Sequence, residues 1–190
     1  QPETLMAAAR QDKDVFTAVA LDVLRADQII VTACGSSRYA ALVGRYLFSS
    51  VGKKFCEVVM ASEFQYFADS VSKNTLVMAI SQSGETLDVI EGVELARKAG
   101  ARIVSIINRT QSLLGELSHH VLYLNCGPEI GVAATKSFLN QLALVDSVRS
   151  AERTTTFLFS LPSSITPLPN PSRVGTISYL FSAILHPVSC

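Results

Sequence analysis

Charge is scarce in this 190-residue chain: Asp, Glu, Lys and Arg make up 17% of it, and 16 basic residues balance 16 acidic ones. Without net charge there is no electrostatic reason to expect nucleic acid or an anionic membrane as a partner, although a local group of donors could still hold a small anion. The four cysteines (Cys34, Cys56, Cys126, Cys190) form no CxxC pair, and no histidine stands at a metal-ligand interval. Neither a metal site nor a disulfide framework is expected, and the thiols read as reduced. Gln1 to Arg25 mixes charges throughout, unlike a signal peptide. No run reaches the ~18 apolar residues of a membrane helix. A cytoplasmic chain is the reading. Neither GxGxxG nor a P-loop is present, so no nucleotide cofactor is implied.

What is there is apolar: hydrophobic residues make up 48%, enough for one well-buried domain. From about Gln1 to Arg25, Leu5, Ala8, Val15, Val19, Leu21 and Leu24 recur at helical spacing, a lead segment over 1–26. Short β-branched runs then alternate with helical patterns. Strands are expected at Gln28–Ala33, Lys54–Val59, Thr75–Ile80, Arg102–Ile107 and Val121–Leu124. Helices are expected after Ser37, at Ser62–Phe67, from Leu87 to a stop at Gly100, at Ser112–Leu117, and from about Val132 to Arg149. Strands apolar on both faces predict a parallel sheet covered on both sides, a doubly wound α/β domain over 27–150. From Ala151 charges nearly vanish, while Pro162, Pro167, Pro169, Pro171 and Pro187 accumulate. Residues 151–190 therefore read as a low-charge, Pro/Ser-rich, mostly irregular tail.

Two turns stand out. Ser81-Gln-Ser-Gly-Glu-Thr86 lies between a buried strand and a helix, where free N–H groups and the helix dipole attract anions. Ser81, Ser83 and Thr86 add hydroxyls, Gln82 an amide, and Gly84 close backbone approach. The same residues could equally be no more than an N-cap and its turn. Cys34-Gly-Ser-Ser37 repeats the arrangement after the first strand, and two such turns on one sheet edge point to a single anion. Glu129 and Lys136, in Gly127–Lys136, could touch a substrate, or cap a turn and coat a helix. His119-His120 reads as a solvated segment before a strand. Tyr39, Tyr46, Phe64, Tyr66 and Phe67 read as core and interface aromatics.

Cys34-Gly-Ser-Ser37, Ala61-Ser-Glu-Phe64, Ser81–Thr86 and Gly127-Pro-Glu-Ile-Gly-Val132 with Thr135-Lys136 occur in an order that resembles the glutamine–fructose-6-phosphate aminotransferase (glucosamine-6-phosphate synthase) family, in its first sugar isomerase (SIS) domain. The resemblance covers about residues 1–148. It implies a flavodoxin-like SIS fold with five parallel strands and a hexose 6-phosphate ligand. It further implies that Ser37, Ser81, Gln82, Ser83 and Thr86 bind the phosphate, and that Ser36 and Val132 line the sugar. At 36 the family usually has Thr. At 134 it usually has Ser, so Ala134 loses one hydroxyl contact.

The family's glutaminase domain and second SIS domain, which supplies the acid–base residues, have no counterpart here. The expectation is a chain that binds phosphosugar, turns over little alone, and pairs with itself or with another SIS domain. Alternatives are a stand-alone phosphosugar sensor and a fructosamine-phosphate deglycase-like enzyme.

Overall fold

Strands with no polar face are stable only inside a sheet covered on both sides. The computed structural model describes residues 2–9, 12–128 and 134–160. Its five strands are β1 (Gln28–Ala33), β2 (Phe55–Met60), β3 (Thr75–Ser81), β4 (Arg102–Ile107) and β5 (His120–Tyr123). They form one sheet in the order β2-β1-β3-β4-β5, and every pairing is parallel. All of β3 is buried, as is β1 beyond its first residue.

Successive strand residues supply opposite faces, as the two-residue repeat requires. Ile29, Val31, Leu76, Met78 and Ile80 pack with Ala8 of α1 (Pro2–Ala9), Val19 and Val23 of α2 (Lys13–Arg25), Ala41 of α3 (Gly35–Tyr46) and Leu144, Val145 and Val148 of α6 (Lys136–Ser160). Ile30, Val77 and Ala79 point the other way. They pack with Phe64 of a 3₁₀ segment (Ala61–Ser70), Val89, Ile90 and Val93 of α4 (Leu87–Lys98) and Leu114 of α5 (Leu113–Leu117). The doubly wound architecture is as expected.

The strand order places the site. After β1 the chain steps outward to β2, then crosses back to β3 on the other flank of β1. The order therefore reverses between β1 and β3, and a crevice opens at their carboxyl ends. Ala33 and Ile80 are paired there, so the two serine turns leave the sheet from adjacent strands, about 5 Å apart.

Beyond shifts of a residue or so at strand ends, and a 3₁₀ segment in place of the Ser62–Phe67 helix, further details differ from the sequence reading. The lead segment is two helices, because Asp12 caps a new start by accepting from the Asp14 N–H. The last helix begins at Lys136 and continues past Arg149 to Ser160, since neither glycine nor proline interrupts it before Pro162. His119 is a partner of the sheet: its Nδ1 accepts from Ile103 N at 3.0 Å. His120 opens β5, with Nε2 3.3 Å from Asp22. Residues 161–190 lie outside the described residues. Contacts divide the chain into two units, Gln1–Thr156 and Phe157–Cys190, and the site belongs to the first.

Candidate functional site

Four of the α-helices have described starts that show how the chain treats its free N–H groups. Two are closed by side chains: Asp12 caps α2, and Ser112, packed beside Gly84, caps α5 by accepting from Gly115 N. The two that follow β1 and β3 are not. Cys34 precedes α3 and Thr86 precedes α4, and neither makes a side-chain cap hydrogen bond. An uncapped start leaves first-turn N–H donors and the positive end of the dipole exposed to a ligand. Two such starts face one crevice.

The Ser81–Thr86 turn is braced from within. Ser81 Oγ, 4% exposed, accepts from Gly84 N at 3.1 Å and lies 2.9 Å from Thr86 Oγ1. Two hydroxyls sharing one hydrogen bond retain one proton for an outside acceptor. Ser83 Oγ accepts from Glu85 N at 3.2 Å, and its own proton remains available. Gly84 has φ +70, a left-handed conformation that glycine adopts without strain. The outer side of the turn is also tied down: Glu85 Oε1 accepts from Leu113 N at 3.0 Å. The hydroxyls are therefore held before any ligand arrives.

Across the crevice, Gly35 is left-handed (φ +56), Ser36 is exposed and Ser37 is buried. Gln141 of α6 donates to Ser37 Oγ at 3.0 Å. Cys34 Sγ sits 3.9 Å from Asp88 Oδ2. Burial first, then the Asp88 carboxylate, pushes this thiol above its usual range, which favours its protonated form. Among the described residues Cys34, Cys56 and Cys126 are not joined to one another by a disulfide.

A cavity of about 600 Å³ opens beside the turn, lined by Gln82, Asn108, Arg109, Asn125, Gly127 and Pro128. That volume suits a small ligand. It reaches the turn through Gln82 and runs toward the ends of β4 and β5. Asn108 anchors its wall: Nδ2 donates to Gly127 O at 2.8 Å and Oδ1 accepts from Cys126 N at 3.2 Å. Lys136 Nζ donates to Pro128 O at 3.1 Å, drawing the start of α6 to the loop.

Ser36, Ser37, Ser81, Gln82, Ser83 and Thr86 thus gather at the carboxyl ends of β1 and β3, with Lys136 near the cavity rim. Glu129 and Val132 lie outside the described residues. Gln141, Asn108 and Asn125 were not singled out in the sequence. Gln141 left a signal, as a polar residue on a helical face otherwise continued by Leu144, Val145 and Val148.

Among the described residues no three His, Cys, Asp or Glu side chains cluster as metal ligands, and no helix is long and apolar enough to cross a membrane.

The fold defines a doubly wound α/β domain with two uncapped helix starts at its switch point. The SIS domain family model matches residues 23–151, and the chain belongs to that family. Among curated relatives, the glutamine–fructose-6-phosphate aminotransferase (isomerizing) of Thermococcus kodakarensis is 41% identical over 146 residues, covering 76% of this chain and 24% of that protein. The chain spans about a quarter of the length of such relatives. The C-terminal domain of glucosamine-fructose-6-phosphate aminotransferase from Francisella tularensis superposes with TM-score 0.65 at 25% identity, covering 79% of this chain and 49% of that one. The Vibrio vulnificus NanR protein complexed with ManNAc-6P shares the fold, with TM-score 0.74 at 22% identity over 96% of this chain and 66% of that one.

Proposed function

We propose that this chain binds a hexose 6-phosphate, fructose 6-phosphate or glucosamine 6-phosphate, as the SIS domain of a glutamine–fructose-6-phosphate aminotransferase-like protein of hexosamine biosynthesis. The observation that carries the reading is the pair of uncapped helix starts at one crevice, each followed or preceded by serine hydroxyls. In this reading Ser37, Ser81, Gln82, Ser83 and Thr86 bind the phosphate, Ser36 and Val132 are assigned to the sugar by the family resemblance, and Glu129 and Lys136 are further candidates. The choice of sugar follows the kinship with the aminotransferases. The 27–150 limits of the domain and its cytoplasmic place belong to the same reading.

The residues assigned to the phosphate offer hydroxyls, an amide and N–H groups. They stabilise a phosphate by hydrogen bonds, but they do not exchange protons at neutral pH as amination and isomerisation of the sugar require. The reading therefore assigns binding to this domain and leaves proton transfer to a second SIS domain. An exposed stripe on α3, formed by Tyr39, Val43 and Tyr46 at 64%, 45% and 72% exposure, supports pairing with such a domain or with a second copy.

Calorimetric titration of the folded chain with fructose 6-phosphate tests the proposal. Saturable binding is expected, weakened by about 1–3 kcal/mol in Ser83→Ala, the cost of a lost hydrogen bond to a charged group. Absence of binding, or indifference to Ser83→Ala, would overturn it. A stand-alone phosphosugar sensor is the second reading: NanR, solved with ManNAc-6P, shares the fold, and that reading needs binding without turnover. Glucosamine 6-phosphate formed from fructose 6-phosphate and ammonia by the chain would count against that reading and against binding without turnover.

A further inference from the structure

Gln141 sits on α6 with 1% of its surface exposed, yet it is an amide on a helix face whose other inward residues include Leu144, Val145 and Val148. Its Nε2 donates to Ser37 Oγ at 3.0 Å, a contact between residues 104 apart in sequence. Its Oε1 is buried with no hydrogen-bond partner among the described residues. A buried acceptor left unpaired destabilises the fold, and an apolar side chain of the same length would avoid that cost. The amide therefore carries a cost to stability, and its one side-chain hydrogen bond among the described residues is to Ser37.

That bond has a direction. A serine hydroxyl has one proton to give and two lone pairs to receive with. Gln141 occupies a lone pair of Ser37, so the Ser37 proton is not drawn toward α6. No other hydrogen bond of Ser37 Oγ is made among the described residues. Ser37 lies in the first turn of α3, one of the two uncapped helix starts, and a phosphate at that start is the acceptor its proton lacks.

We propose that Gln141 is a positioning residue: by donating to Ser37 Oγ it holds the Ser37 hydroxyl as a hydrogen-bond donor to the bound phosphate, without touching the ligand itself. The inference rests on the hexose 6-phosphate reading above. It adds that the polarity of the site is set from α6, the helix entered from the 127–136 segment, and not by the serine turn alone.

A double-mutant cycle on the full chain tests this. Fructose 6-phosphate is titrated calorimetrically into wild type, Ser37→Ala, Gln141→Met and the double variant, after circular dichroism has shown each to be folded. Each single substitution is expected to weaken binding about 5- to 10-fold. In the Ser37→Ala background Gln141→Met is expected to add no more than about 2-fold, because its effect passes through the missing hydroxyl. Equal losses in both backgrounds would mean a general packing role and would overturn the inference. Wild-type affinity in Gln141→Met would do the same. Should Gln141→Met not fold, Gln141→Glu carries the cycle: it matches glutamine in size but accepts where the amide donates, turning the Ser37 proton inward, and the same weakening is expected. Failure of the underlying reading shows earlier and separately. Wild type then does not bind, or Ser37→Ala binds as well as wild type, and the inference falls with it.

Discussion

Gly84 is the residue on which the phosphate turn and α5 are locked together, and replacing it with alanine tests that lock. Its φ of +70 is left-handed, where a Cβ costs about 1–2 kcal/mol. The new Cβ would also meet Ser112, lying 2.6 Å from its Cβ and closer still to its Oγ. Ser112 cannot simply turn away. It is 5% exposed and caps α5, with Oγ accepting from Gly115 N at 3.3 Å. Gly84 itself is pinned, its N–H donating to Ser81 Oγ at 3.1 Å and its carbonyl accepting from Leu114 N at 3.2 Å. Displacing the cap costs about 1 kcal/mol, and overpacking of this kind about 1–3 kcal/mol. These two describe one displacement and are not added together. The expected loss for Gly84→Ala is therefore about 2–5 kcal/mol.

Urea denaturation at constant slope measures that loss, and a second substitution separates its parts. Ser112→Gly removes both crowding atoms, and glycine at an N-cap costs only a few tenths of a kcal/mol. Gly84→Ala combined with Ser112→Gly should recover about 1–2 kcal/mol, leaving the left-handed strain. A Gly84→Ala loss below about 1 kcal/mol would refute the reasoning. A double variant no more stable than Gly84→Ala would refute the clash while sparing the strain.

Gly35 offers the contrast: its φ is +56, but nothing lies within 4 Å of an added Cβ, so Gly35→Ala should cost only about 1–2 kcal/mol of strain. A loss beyond about 3 kcal/mol by the same assay would show a crowding that the structure does not contain. His119 predicts a pH dependence. Burial first, then Arg102 and Arg97, hold its pKa below the usual 6.5, and its Nδ1 must stay unprotonated to accept from Ile103 N. The unfolded chain thus binds the proton more readily, and this contribution to stability is complete above pH 6.5 and is lost as pH falls below it. The thermal midpoint should drop between pH 7.5 and 5.5. His119→Asn, whose amide oxygen can take the place of Nδ1, should flatten the drop, and an unchanged slope would exclude His119 as its source.

The strands could be read from the chain because apolar, β-branched runs have no alternative to a covered parallel sheet, and β1 and β4 begin and end where expected. The other three are displaced by a residue at one or both ends, and β2 shows why. The second strand was expected from Lys54 but starts at Phe55, whose partner in β1 is Gln28. Lys54 serves another end, its Nζ donating to the carbonyls of Leu24 and Ala26 at 2.7 and 2.8 Å and closing α2. An apolar run shows that a strand exists; the neighbouring strand sets its register, and a lysine just outside it answers to a different element.

The same division holds at the site. The Ser81–Thr86 half was legible because its chemistry is local: glycine, hydroxyls and helix start follow within six consecutive residues, and its hydrogen bonds join Ser81 to Gly84 and Thr86. The Ser37 half was legible only as a position. Whether its hydroxyl offers a proton or a lone pair depends on a side chain 104 residues away, and no spacing rule spans that distance. Asn108 is a similar case, turning from the end of β4 to hold Cys126 and Gly127 beyond β5. A turn can supply donors from its own sequence, but their direction is settled by whichever element packs behind it. For Ser37 that element is α6, which is why a substitution at Gln141 is a sharper probe of the site than another substitution within the turn.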